Sequence, residues 1–155
     1  MMKVFISHKK EDSLYAESAC NILKNLGVDA YLDLLEGNLS LEGKELTEHI
    51  KENLNSCTDI LVVMSKKTKD SWWVPFEIGM AAQKDFPIVN YLINNIDLPE
   101  YLEYWPSLKQ ESDLKKYVEI KKETEKDFIL ENKGFFNLNK KSKTEQFYDN
   151  LRKSL

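Results

Sequence analysis

Between Ser71 and Ala82 of the stretch DSWWVPFEIGMAAQK (Asp70–Lys84), every residue is apolar, small or Pro except Glu77. An ionised carboxylate taken out of water without a partner loses several kcal/mol or binds a proton, so a lone glutamate here needs a cause. One cause is structural: Glu77 pairs with a lysine or caps nearby backbone amides. The other is catalytic, with the carboxylate serving as base, nucleophile or stabiliser of positive charge. Trp73 stands four residues earlier, one helical turn away, and Phe76 and Met80 flank the same side. On a helix this spacing sets the carboxylate beside a large aromatic plane. The plainer reading of Trp73 is an ordinary core aromatic.

Such a pair works only if other elements hold it. Lys3–Ser7 (KVFIS) is short, apolar and β-branched and predicts a first strand; the polar HKKED then leads into a helical pattern of Leu14, Ala16, Ala19, Cys20, Leu23 and Leu26. Gly27 reads as the residue that ends this helix, and VDAYLD, to Asp33, alternates as a second strand. A loop, Leu34 to Gly43, precedes a helical spacing of Leu46, Ile50 and Leu54. Thr58–Ser65 (TDILVVMS) then predicts a buried central strand. The Glu77 segment predicts a helix starting near Ser71 to Pro75, where Pro is tolerated in a first turn, and Phe86–Ile93 (FPIVNYLI) reads as a fourth strand.

Beyond Asn94, Tyr101 to Trp105 is read as a short edge strand, Asp113 to Lys126 as a charged helix, Asn132 to Lys143 as an exposed loop, and Thr144 to Leu155 as a closing helix with Phe147, Tyr148 and Leu151 on one stripe. Strands alternating with helices predict an α/β class, a parallel sheet covered on both faces and joined by right-handed crossovers. With 155 residues, one compact domain is expected, with a core over about 2–126 and a C-terminal helical extension over about 127–155.

In doubly wound sheets the ligand crevice lies beyond the carboxyl ends of the strands, where neighbouring connections leave on opposite faces. Here strand one ends at Ser7 and His8, strand three at Ser65, and the following helix brings Glu77 to the same cleft. A receiver-type phosphoacceptor would need an Asp where strand three ends in Met64-Ser65. A phosphate-cradling turn would need glycine, absent from SHKKED, and neither Ser7 nor Ser65 has the glycine-flanked setting of a hydrolase nucleophile.

Composition narrows the partners. A formal net charge of -4 disfavours nucleic acid or an anionic membrane as the main partner. No stretch reaches the roughly 18 apolar residues of a membrane span, and MMKVFISHKKED turns charged too soon for a signal peptide, so a cytoplasmic location is expected. Cys20 and Cys57 are expected as buried reduced thiols, and together with His8 and His49 they match no metal-ligand spacing.

KVFISHKKED, then Asp33 at the end of strand two, then DILVVMSKKTKDSWWVPFE, then FPIVNYLI, taken in that order, resemble a Toll/interleukin receptor (TIR) domain of the bacterial kind over about Met2 to Ser107. Trp73-Val-Pro-Phe-Glu77 is the most specific part. The resemblance implies a flavodoxin-like three-layer fold with strand order 2-1-3-4-5 and, in many members, cleavage of NAD+ between nicotinamide and ribose. It carries the catalytic role onto Glu77, and places Phe5, Ser7, His8 and the loop from Asp33 around the nucleotide, with Trp73 able to stack on the cationic ring. NAD+ is then substrate, with no further cofactor and no metal. Bacterial relatives often serve antiphage defence, depleting NAD+ or making cyclic or conjugated ADP-ribose that switches on a separate effector protein. Lys9 and Lys10 depart from the small polar residues usual after Ser-His; they are readable as diphosphate contacts or as solvated surface charge.

The chemistry fits one carboxylate. Nicotinamide leaves neutral from a pyridinium, so no general acid is needed, and the difficulty is the oxocarbenium-like ribose left behind. The loop LLEGNLSLEG, with its leucines and two glycines, is expected to act as a lid or to meet another subunit, and self-association is expected for activity. Two other readings stay open: a non-catalytic TIR interaction module, and a nucleoside N-glycosidase or deoxyribosyltransferase working on the same type of bond.

Overall fold

The computed structural model describes residues 1–32, 43–131 and 140–155. Asp33 and residues 34–42 of the expected lid loop lie outside the described residues, as does most of the loop expected from Asn132. Five strands, β1 (Lys3–Ser7), β2 (Asp29–Leu32), β3 (Asp59–Met64), β4 (Ile88–Leu92) and β5 (Ser107–Leu108), form one sheet in the order β2-β1-β3-β4-β5. Every pairing is parallel. The helices are α1 (Ser13–Asn25), α2 (Gly43–Asn55), α3 (Trp73–Gln83), α4 (Glu100–Glu103), α5 (Glu111–Glu131) and α6 (Lys140–Ser154).

Alternation along the strands divides the core into two layers. Val4, Ile6, Leu61, Val63, Val89 and Tyr91 face α1, α5 and α6, where they meet Ala19, Leu23, Leu114, Tyr117, Phe147 and Leu151. Phe5, Ile60, Val62, Met64, Ile88 and Leu92 face α2 and α3, where they meet Leu54, Val74, Ile78 and Ala81. All six residues of β3 are buried, as expected of a central parallel strand covered on both sides.

Local signals explain the boundaries. Gly27, at φ +76°, ends α1: its N–H reaches the Lys24 carbonyl, and the Val28 N–H reaches the Leu23 carbonyl, each at 3.0 Å, the paired bonds of a Schellman stop. Ser71 Oγ accepts the Val74 N–H at 3.2 Å and so satisfies one donor of the α3 first turn, with Pro75 in the tolerated third position.

The chain departs from the sequence reading at the edge. Tyr101 to Trp105 is not a strand; α4 occupies its first part, begun by Pro99 at φ -57°. Trp105 precedes Pro106, which disfavours helical backbone at Trp105. The chain therefore turns extended only afterwards, and Ser107–Leu108 pairs with Asn90 and Tyr91 as the edge strand. The charged helix is also longer than expected, running through Lys126 to Glu131, and Lys140 to Lys143 belong to α6 rather than to a loop. Helix α6 is joined to the sheet, since the buried Tyr148 hydroxyl accepts the Ile88 N–H at 2.8 Å. Burial pushes the Tyr148 phenol far above the ordinary tyrosine value. Both cysteines are free and buried, and burial pushes the Cys57 thiol up.

Candidate active site

Two polar residues sit where the core pattern asks for apolar ones. On α3 the buried stripe is Val74, Glu77, Ile78 and Ala81, the i, i+3, i+4, i+7 spacing of a core-facing side. On β1, Ser7 shares its face with Phe5 and so points to the α3 layer. The two meet: Ser7 Oγ donates a hydrogen bond to Glu77 Oε2, with Ser7 1% and Glu77 3% exposed. A carboxylate in this setting is held by a hydroxyl delivered from another element.

The sheet topology explains the location. Helix α1 leaves β1 toward one layer and α3 leaves β3 toward the other, so the carboxyl ends of β1 and β3 flank the switch-point crevice. His8 is also buried there, with Nε2 3.4 Å from Ser13 Oγ at the start of α1 and Nδ1 3.5 Å from the Ile6 carbonyl. Trp73 is half-buried and meets Phe76 edge-to-face at 5.9 Å between ring centres. With Lys9, Lys10, Glu11, Asp70, Ser71 and Trp72 it lines an open cleft of about 280 Å³, one turn along α3 from Glu77. Lys9 forms an ion pair with Glu11 at 3.7 Å.

Phe5 lies beneath this group. It is fully buried, 5.5 Å from the Tyr31 ring, and shares the α3-side face of β1 with Ser7. Asp33 lies outside the described residues. Ser65, expected to face the Glu77 cleft, instead donates to Asp12 Oδ2 at 2.7 Å. Asp12 escapes the sequence reading: as the last residue of HKKED before a helix it reads as an ordinary solvated cap, yet it is 2% exposed. Among the described residues, no three His, Cys, Asp or Glu side chains gather as metal ligands would.

A family model for the TIR domain matches residues 4–130. The chain belongs to the TIR domain family. It is 28% identical over 79 residues to the probable 3' cyclic ADP-D-ribose synthase ThsB' of Bacillus cereus (strain MSX-D12), a match covering 49% of this chain and 41% of that protein. The match thus spans less than half of that relative's length. Among solved structures, the TIR domain of the Toll-related receptor TRR-2 from Hydra magnipapillata superposes with a TM-score of 0.56 at 16% identity, covering 67% of this chain and 82% of that one. The TIR domains in the activated Roq1 resistosome directly recognising the pathogen effector XopQ give 0.50 at 16% identity, covering 98% and 84%. These two likenesses concern the fold. Strand order and helix layers are those of a TIR domain, and within them Glu77 and Ser7 meet at the switch point.

Proposed function

We propose that this TIR domain cleaves NAD+ at the bond between nicotinamide and ribose, with Glu77 as the catalytic carboxylate. The observation that carries the reading is the buried Glu77 carboxylate, hydrogen-bonded by Ser7 at the crevice between β1 and β3. Cleavage passes the electron pair of the C1'–N bond to the pyridinium ring, which departs as neutral nicotinamide. Positive charge is left on the ribose, and a desolvated carboxylate lowers the energy of that charge more than it would in water. Glu77 does this electrostatically, by holding ribose hydroxyls, or by adding to C1'. Attack by water gives ADP-ribose; attack by an internal hydroxyl or ring nitrogen gives a cyclic form, the product named for the probable synthase of Bacillus cereus. Trp73, half-open one turn away, offers a face to the cationic ring. The biological setting we infer is bacterial antiphage defence, with the nucleotide product either depleting NAD+ or acting on a separate effector protein.

Self-association accompanies activity in this reading. Specific activity over a dilution series should rise with protein concentration; a flat value counts against assembly. An interaction module without turnover and a nucleoside N-glycosidase are the competing functions. Both are separated by incubating concentrated protein with NAD+ and with nucleosides in parallel and resolving nicotinamide, free bases and ADP-ribose species by chromatography with mass detection. Nicotinamide from NAD+ with intact nucleosides supports the proposal. Free bases from nucleosides, or no product from either, contradict it.

A further inference from the structure

Asp12 is a buried carboxylate outside the Ser7–Glu77 pair, and its bonds run across the crevice. It immediately precedes α1, where an Asp usually accepts N–H bonds from its own helix, yet its side chain makes no such cap. Oδ2 instead accepts from Ser65 Oγ at 2.7 Å and from Thr68 Oγ1 at 3.3 Å, residues 53 and 56 positions away. Each hydroxyl is also used as an acceptor: Ser65 Oγ takes the Lys67 N–H at 3.1 Å and Thr68 Oγ1 takes the Ser65 N–H at 2.8 Å. The carboxylate therefore closes a satisfied network between a short 3-10 turn after β1 (Lys10–Asp12) and another after β3 (Thr68–Asp70).

We propose that Asp12 is a positioning residue that holds the segments following β1 and β3, the two walls of the crevice at the Ser7–Glu77 pair, in register. One wall starts at Ser7 and His8 and ends in Asp12. The other starts at Ser65 and delivers Trp73 and Glu77 on α3. The ties that join them include the Ser7–Glu77 hydrogen bond and the Asp12 bridge. The first orients the Glu77 carboxylate itself. The Asp12 bridge instead fixes the spacing of the segments that carry Ser7 and Glu77, and charge-assisted bonds to two hydroxyls suit the task. Loss of the bridge lowers kcat rather than raising KM, because misplacement of a reacting group is felt most in the transition state.

The kinetic consequence rests on the NAD+-cleaving function proposed above; the consequence for backbone motion holds for any use of the cleft. The test compares Asp12→Ala, Asp12→Asn, Ser65→Ala and the double variant Asp12→Asn/Ser65→Ala in the full chain, by NAD+ kinetics and by amide hydrogen exchange read by mass spectrometry. Expected are a fall in kcat of at least about tenfold for Asp12→Ala with KM within about twofold, and partial rescue in Asp12→Asn, whose amide oxygen still accepts. The double variant is expected to be no worse than the poorer single one, as for residues acting through one bridge, and exchange across residues 65–76 should quicken in every variant. If Asp12→Ala fails to fold, Asp12→Asn and Ser65→Ala carry the same comparison. Unchanged kcat in folded variants, additive losses, or unaltered exchange across 65–76 overturns the proposal. If the wild-type chain releases no nicotinamide, the NAD+ reading falls on its own, and the exchange result decides whether the bridge holds the walls.

Discussion

Ser7 and Glu77 are 70 positions apart in the chain, and each looks misplaced until the other is seen. A serine ending an apolar strand and a glutamate inside an apolar helical stripe would each cost stability alone; together they satisfy one another. Ser7→Ala should therefore have two effects. Turnover of NAD+ should fall about tenfold, since the carboxylate loses the donor that orients it, and the variant should melt earlier, because a buried group that loses a hydrogen bond costs about 1–3 kcal/mol. Initial rates and thermal melts check both; an unchanged rate would place Ser7 outside the chemistry. Glu77 is legible in the sequence because a charge stands out in an apolar run. Asp12 is not, because its burial is created by Ser65 and Thr68 across the crevice, and no local pattern around HKKED encodes partners so distant.

Among the elements, most are legible where hydrophobic periodicity is strong: β1, β3, β4 and the stripes of α1 and α2 follow apolar spacing, although Leu14 of the α1 pattern is exposed. Helix α3 is apolar nearly all round, so its buried face, with Phe76 left outside, is decided by the sheet it packs on. The edge strand lies beyond its expected place because Tyr101 to Trp105 is aromatic enough for a strand, while the two flanking prolines, Pro99 and Pro106, decide the local backbone. Helix α5 begins with a device of its own. Asp113 lies in its first turn and accepts the N–H of Lys109 at 3.0 Å and of Gln110 at 3.3 Å, with Lys116 at 3.2 Å. Burial pushes its carboxyl up, but these donors outweigh burial and leave it below the ordinary Asp value. A depressed folded value stabilises the fold above the unfolded carboxylate value of about 3.9, and that stabilisation is lost as pH falls through the lower folded value. Melting temperatures recorded from about pH 5 down to about pH 3 should fall, and Asp113→Asn should flatten the fall; equal slopes for both proteins would remove Asp113 as a contributor.

At the scale of the whole molecule, the catalytic candidates gather at the carboxyl ends of the strands, and the opposite end is stitched by a buried ion pair. Lys121 of α5 meets Asp59 at the start of β3 at 2.7 Å, with the two side chains 8% and 0% exposed. Removing Lys121 leaves a buried carboxylate without its countercharge, a loss of about 3–5 kcal/mol. Lys121→Ala should thus melt roughly 10 °C lower, whereas Asp59→Asn with Lys121→Met should lose much less, because no lone charge remains. Equal losses would mean that the pair's charge is immaterial. The fold class and the position of the crevice are readable from the order of strands and helices alone, since doubly wound topology dictates where it opens. The contacts that close the molecule, Asp59 to Lys121 and Tyr148 to the Ile88 N–H, depend on helices returning from far along the chain, so local reading could not supply them.

The central claim is that Glu77 carries the reaction, and the most direct test is nicotinamide release from NAD+ by concentrated wild-type protein beside Glu77→Gln, with thermal melts to show that both are folded. The account predicts release by the wild type and a loss of at least about a hundredfold in the variant, the scale expected when a transition-state charge stabiliser is removed. Equal release by the two folded proteins would contradict it.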